Sequence, residues 1–284
     1  MLLAHRPTEL RAILQEWRQA GLSIGFVPTM GALHEGHLSL VRQAGEAADR
    51  VVASIFVNPK QFNQAADLER YPRMPERDAE LLAGAGCHLL FLPEVGALYP
   101  RGFVTQVEVA GPPAEGLEGA YRPGHFRGVA TVVTLLFNLV APDVAVFGEK
   151  DAQQLALVRR LVVDLQLPVE ILAGATVREA DGLAMSSRNL NLSPEARRAA
   201  PVLYRALCEA RRAIEAGERS GERVRERLRE VLSSEPLARV DYAEVVHADT
   251  FQPAQELSGR LVLPLAVEIG GVRLIDNLSL EISG

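Results

Sequence analysis

Five short apolar runs, alternating with four stretches of helical apolar spacing, limit what this chain can fold into. The runs are Leu22–Val27, Val51–Val57, His88–Leu92, Val144–Phe147 and Val169–Leu172. Helical patterns over His37–Ala48, Glu76–Ala85, Val129–Val140 and Ala152–Leu165 lie between them. Strands that read as near-continuous apolar segments are covered on both faces. Alternation with amphipathic helices makes the sheet parallel, an α/β class. Right-handed crossovers then gather the carboxyl ends of the strands on one edge, where such sheets bind ligands. Gly102–Pro113 breaks the pattern and is expected as an extended excursion.

The pattern changes after about Thr176. Pro194–Ala216 and Gly221–Leu232 are rich in Arg and Glu with apolar stripes, which predicts two solvated helices. Three strand-like runs follow, Val240–Val246, Arg260–Glu268 and Val272–Ser279. Helices followed by antiparallel strands predict a smaller α+β domain, with the boundary placed at 175/176. At 284 residues and 48% hydrophobic content, both parts can build cores.

Several classes drop out on composition. A net charge of −6 and sparse aromatics around the single Trp17 argue against a nucleic-acid binder. Cys87 and Cys208 alone do not make a disulfide framework, which fits a reducing cytoplasm. No apolar run reaches the length of a membrane span, and His5, Arg6 and Glu9 near the start do not read as a secretory signal.

Chemistry concentrates at the strand exits. Met30-Gly31-Ala32-Leu33-His34-Glu35-Gly36-His37 lies between the first strand and a helix. Free N–H groups and the helix dipole favour an anion there, and histidine adds a donor near neutral pH. The other reading is a helix cap with one exposed histidine. Zinc fails on ligand count, because nothing completes the pair. Asn58-Pro59-Lys60-Gln61-Phe62 leaves the second strand; its amides suit a hydroxyl- or carboxylate-bearing ligand, and an ordinary Pro/Asn turn is the competing reading. Gly148-Glu149-Lys150-Asp151 repeats the strand-to-helix geometry, with Lys150 as a mobile charge, Asp151 as an N-cap and Gln154 one turn on. Met185-Ser186-Ser187-Arg188, with Arg178 and Asp181 upstream, offers hydroxyls and a guanidinium to an oxyanion. Tyr121 to Gly128 is either a further anion site or a basic loop. There is no nucleophile elbow, P-loop or dinucleotide fingerprint.

Taken in order, these segments resemble one family. Val27–His37, Ser54–Phe62, Arg122–Val129, Phe147–Asp151 and Met185–Asn189 are similar to the successive signature blocks of the pantoate–β-alanine ligases, the last being that family's form of a KMSKS-like loop. The resemblance runs from about Gly25 to Asn191, and more loosely over the whole chain. It implies a Rossmann-like parallel-sheet domain binding nucleotide and pantoate over residues 1–175, and a smaller α+β lid over 176–284. The implied reaction has two halves. Pantoate carboxylate attacks the α-phosphorus of ATP, giving pantoyl adenylate and pyrophosphate; the β-alanine amine then displaces AMP.

The family's residues carry over by position. His34 and His37 stabilise the reacting phosphates, His37 being the assigned proton donor. Met30, Gly31, Ala32, Leu33, Glu35 and Gly36 complete the nucleotide segment around them. Lys150 and Arg188 hold phosphate charge, with Met185, Ser186, Ser187 and Glu149 beside them. Gly148, Asp151 and Val177 line the adenosine pocket. Gln61 and Gln154 bind pantoate, and Gln61 also contacts β-alanine. Mg²⁺ is expected with ATP, and Asp78 matches a metal-linked acid, although Arg77 stands where some relatives carry a second one. Tyr71 and Arg122 are accessory contacts. A cytoplasmic homodimer is expected. The rivals are another nucleotidyltransferase with the same histidine motif, for which the Asn58–Gln61 block has no use, and a silent nucleotide-binding regulator, which would be expected to lose one of His34, His37, Lys150 or Arg188.

Overall fold

The computed structural model describes residues 1–63 and 65–282. Contacts divide the chain into two compact units: Met1–Glu149 with Leu157–Ala175, and Lys150–Ala156 with Thr176–Gly284. The second unit therefore takes in one short segment, Lys150–Ala156, from ahead of the expected boundary.

In chain order the first unit contains β1 (Leu2–Ala4), α1 (Pro7–Gln19), β2 (Ile24–Thr29), α2 (Glu35–Ala47), β3 (Arg50–Ile55), α3 (Ala65–Arg70), α4 (Pro75–Gly84), β4 (Leu89–Phe91), α5 (Val95–Leu98), α6 (Leu117–Tyr121), α7 (His125–Val140) and β5 (Val144–Gly148). Helix α8 (Ala152–Asp164) begins in the second unit and ends in the first, and β6 (Glu170–Gly174) closes the sheet. All five strand pairings are parallel, in the order β1-β4-β3-β2-β5-β6. Successive residues of β2 bury opposite ways, as the two-residue strand period requires. Val27 joins Leu40, Val41 and Ala44 of α2 in one core, while the Phe26 ring meets Phe137 of α7 edge-on at 6.4 Å. Both are fully buried, so the strand is covered on both faces.

Chain order reverses between β2 and β5. That switch point sets the exits of these two strands, Thr29 and Gly148, at the position where open α/β sheets bind ligands. Elements β1 and α1 precede the first expected strand. A three-residue edge strand carries too little pattern to be read from sequence, and β1 is secured by pairing with β4. The 103–110 segment forms no regular element. Thr131 of α7 ties it down, with Oγ1 accepting the Val107 N–H at 3.0 Å.

The second unit continues with α9 (Pro194–Ala199), α10 (Val202–Glu215), α11 (Gly221–Ser233), β7 (Ala238–Ala243), β8 (Val246–His247), β9 (Gly259–Val262), β10 (Leu265–Ile269), β11 (Val272–Asp276) and β12 (Ser279–Ile282). The single helix expected over Pro194–Ala216 is two helices. Pro201 lacks an N–H and its ring clashes with the preceding turn, so the apolar stripe runs on while the backbone breaks. Buried Leu203, Ala206, Leu207 and Ala210 of α10 share a core with Val224, Leu228 and Leu232 of α11. Each of the three expected strands is likewise split in two. Antiparallel sheets β11-β10-β7 and β12-β9-β8 are built from the same three chain passes, each giving one strand to each sheet. Pro264 marks the break in the middle pass, where it cannot donate to a ladder.

Candidate functional site

In the first unit, the loop from β2 into α2 is shaped by backbone geometry. Gly31 has φ +85° and Ala32 φ +51°, two consecutive left-handed residues. A side chain at Gly31 would put its Cβ 3.0 Å from Asp78 Oδ2. Thr29 Oγ1 accepts the Gly31 N–H at 3.2 Å and donates to the Ser54 carbonyl at 2.8 Å.

His34 is the N-cap of α2. Its Nδ1 accepts the Gly36 N–H at 3.2 Å, and His37 Nδ1 accepts the His34 N–H at 3.3 Å. This is the reciprocal logic of a capping box, with imidazoles in place of hydroxyl and carboxylate. The ring centroids are 4.1 Å apart. With both Nδ1 atoms accepting, the neutral rings carry their protons on Nε2. Capping uses Nδ1 of both rings. Glu35 turns to Arg42, whose guanidinium holds its carboxyl below the usual range.

Gln61 is fixed through both main chain and side chain. Its Oε1 accepts from Asn58 Nδ2 at 3.0 Å, and its Nε2 lies 3.2 Å from the Met30 sulfur. Asn58 Oδ1 in turn accepts from Tyr99 Oη at 2.8 Å and from the Lys60 N–H at 3.2 Å. The Gln61 carbonyl accepts from His125 Nδ1 at 2.9 Å and Arg122 Nη2 at 3.3 Å. Arg122 and His125, from the segment read as either a further anion site or a basic loop, thus hold the backbone that carries a candidate substrate residue. Helix α7 comes so close here that a Cβ on Gly128 would lie 2.3 Å from the Lys60 carbonyl oxygen.

Asp78, the expected metal-linked acid, has both carboxylate oxygens engaged by backbone. It is wholly buried in the first turn of α4. Oδ2 accepts the Ala32 N–H at 2.8 Å and Oδ1 the Leu33 N–H at 2.9 Å. Among the described residues, no group of three His, Cys, Asp or Glu side chains is placed to hold a metal.

The second unit carries the remaining candidates. Lys150 Nζ is 3.8 Å from Asp151 Oδ2, and the Lys150 carbonyl accepts from Asn277 Nδ2 at 2.8 Å. Gln154 is half-buried on the first turn of α8. The Met185 N–H bonds the Val177 carbonyl at 2.9 Å, joining the expected adenosine contact to the start of the Ser-Ser-Arg loop. Ser186 Oγ accepts the Arg188 N–H at 3.2 Å and starts a short 3-10 turn over Ser187–Asn191. Arg178 forms a forked pair with buried Asp276, at 2.6 and 2.9 Å, and its guanidinium stacks 4.1 Å over the Tyr204 ring. Burial raises the Asp276 carboxyl while Arg178 opposes the rise. Sequence reasoning passed over Asp276 and Asn277, which lie in an unremarkable strand end about 100 residues from their partners. Asn58 did carry a signal, its place beside Pro59 at a strand exit.

The family model described as Pantoate-beta-alanine ligase matches residues 2–279. The chain is 54% identical over 282 residues to the pantothenate synthetase of Heliobacterium modesticaldum, covering 99% of this chain and 100% of the relative. Its fold is similar to the Thermus thermophilus pantoate-β-alanine ligase crystal structure, with a TM-score of 0.95 at 49% identity over 99% of this chain and 100% of the other. It is also similar to the Francisella tularensis pantoate-β-alanine ligase, crystallised with beta-gamma ATP and β-alanine, with a TM-score of 0.80 at 35% identity over 98% and 97% of the two chains. This chain belongs to the pantoate–β-alanine ligase family.

Proposed function

We propose that the chain condenses (R)-pantoate with β-alanine at the expense of ATP. A pantoate carboxylate oxygen bonds to the α-phosphorus and the bond to pyrophosphate breaks. The amine nitrogen of β-alanine then bonds to the acyl carbon, AMP leaves, and the nitrogen loses a proton. Pantothenate, AMP and pyrophosphate are the products. The observation that carries this reading is the histidine pair at the start of α2, with both rings ordered through Nδ1 by backbone N–H groups and their centroids 4.1 Å apart. Preorganised donors aimed at developing phosphate charge need no reorganisation during reaction. Family membership over residues 2–279 favours this reading over transfer of a nucleotide to a phosphate acceptor.

The roles are those the family resemblance implies. His34 and His37 donate to phosphate oxygens, and His37 protonates the departing pyrophosphate. Lys150 and Arg188 neutralise phosphate charge; Ser186 and Ser187 add donors. Val177, Gly148 and Asp151 contact the adenosine; the amides of Gln61 and Gln154 orient pantoate. An amide binds the carboxylate without neutralising the nucleophile. β-Alanine comes within reach of Gln61.

Magnesium bound to ATP supplies charge neutralisation on the phosphates. Among the described residues no group of three His, Cys, Asp or Glu side chains is placed to hold it, and Asp78, the expected ligand, is buried with each carboxylate oxygen bonded to a backbone N–H.

We also propose a homodimer in the cytoplasm, supported by the family resemblance; among the described residues no helix is long and apolar enough to cross a membrane. Sedimentation equilibrium tests the dimer. The reaction is tested by following AMP and pantothenate from ATP and pantoate, with and without β-alanine. Pantothenate that requires all three substrates is the expected result. Nucleotide transfer indifferent to β-alanine overturns the proposal.

A further inference from the structure

We propose that Asp78 is a positioning residue that clamps the histidine loop by its backbone, and that it does not ligate magnesium. The inference rests on the proposed ligase reading, because it concerns how the same histidines are aimed.

Three observations meet at one carboxylate. First, Gly31 and Ala32 are consecutive left-handed residues, with φ +85° and +51°. Alanine resists that conformation, because its Cβ crowds the neighbouring carbonyl. Surrounding contacts must hold it there. Second, consecutive N–H groups in such a turn form a concave anion-binding nest. Here the anion is internal: the Ala32 and Leu33 N–H groups converge on Asp78 at 2.8 and 2.9 Å. Third, Asp78 is wholly buried, and no other residue would fit Gly31 without crowding its Oδ2. Ala32 and Leu33 immediately precede His34, which begins the cap of α2. The clamp thus sets the path by which the chain enters that cap and the direction of the two imidazoles.

A magnesium ligand and a clamp make opposite demands on this carboxylate. A ligand must present an oxygen to a hydrated ion, which keeps several of its waters. The clamp needs both oxygens as acceptors for backbone donors. Asp78→Asn separates the two, because it keeps the shape but sets an NH₂ against one of the N–H groups.

The variant is expected to lose kcat on the order of 10²-fold, as for a displaced catalytic group. The magnesium concentration for half-maximal rate stays at the wild-type value. Adding Ala32→Gly to Asp78→Asn recovers part of the rate, because glycine adopts the left-handed turn without strain. In the wild-type protein without nucleotide, the Ala32 and Leu33 amides exchange slowly with solvent, and magnesium does not change that rate. A higher magnesium requirement with kcat restored at saturation overturns the proposal, as does an unchanged kcat or fast exchange of the two wild-type amides. If Asp78→Asn fails to fold, the wild-type exchange measurement still decides. A wild-type protein that releases no pyrophosphate from ATP and pantoate would count against the ligase reading, and the amide exchange would still judge the clamp.

Discussion

Asn277 Nδ2 donates to the main-chain carbonyl of Lys150 at 2.8 Å, a bond between residues 127 positions apart. It holds the backbone of the proposed phosphate lysine from the gap between β11 and β12. The adjacent Asp276 is locked by the forked pair with Arg178 and accepts the Asn277 N–H at 2.8 Å. Lys150 is therefore positioned by residues that need not touch substrate.

Asn277→Ala is expected to raise the KM for ATP several-fold while the KM for pantoate stays near the wild-type value. The lost hydrogen bond costs about 1 kcal/mol of stability. Steady-state kinetics alongside a thermal melt checks both. Equal changes in the two KM values would place the residue's effect elsewhere.

His37→Ala should leave ATP binding measurable and slow adenylate formation by on the order of 10²–10³-fold, the usual cost of removing one preorganised donor. Its Nδ1 also accepts the His34 N–H. The same substitution therefore weakens the start of α2, by about 1 kcal/mol on the scale of cap losses. Rapid-quench measurement of pantoyl adenylate separates the chemical effect from the stability effect. Near-normal adenylate formation rules out the proposed role.

Gln61→Ala is expected to raise the pantoate KM about tenfold, the loss of one hydrogen bond to a charged group. The ATP KM moves much less. Asn58→Ala should reproduce part of this, because Asn58 Nδ2 donates to Gln61 Oε1 and orients the amide. A pantoate KM that responds to Gln61 and not to Asn58 would show that the amide orients itself.

Cys87 should resist alkylation in the folded protein. Burial pushes its thiol up to about 11, so little thiolate exists at pH 8. Iodoacetamide followed by peptide mass mapping should label Cys208 and spare Cys87 until denaturant is added. The shift also has a sign. From about pH 9 the unfolded thiol gives up its proton while the folded one keeps it until about 11. Stability therefore falls as pH rises through that window. A denaturation midpoint that is flat across it would contradict the shift.

The inner strands of the first unit's sheet, β2 to β5, were legible because they are almost wholly buried and read as apolar runs. The loops at Thr29 and Gly148 were legible because glycines and polar residues gather where strands end. What the sequence hid was non-local. Asp78 looks like any acid in the first turn of a helix; its bonds to Ala32 and Leu33 span more than 40 positions. Asp276 and Asn277 close even longer loops. Pro201 and Pro264 were visible, yet the apolar pattern continues through both, and periodicity alone does not register a break. The imidazole cap at His34 and His37 was half legible. The spacing marked the helix start, and only the bond geometry divided the work between ring nitrogens.

The three split passes of the C-terminal sheets have a consequence for how the protein comes apart. Both three-stranded sheets draw on the same lengths of chain, interrupted at the same level, and the Leu263 N–H and the Pro264 carbonyl still bond across the interruption to Leu278 and Glu244. Neither sheet can lose its register while the other keeps its own. The two should therefore fray together, and losing either one releases Asn277 and with it the grip on Lys150.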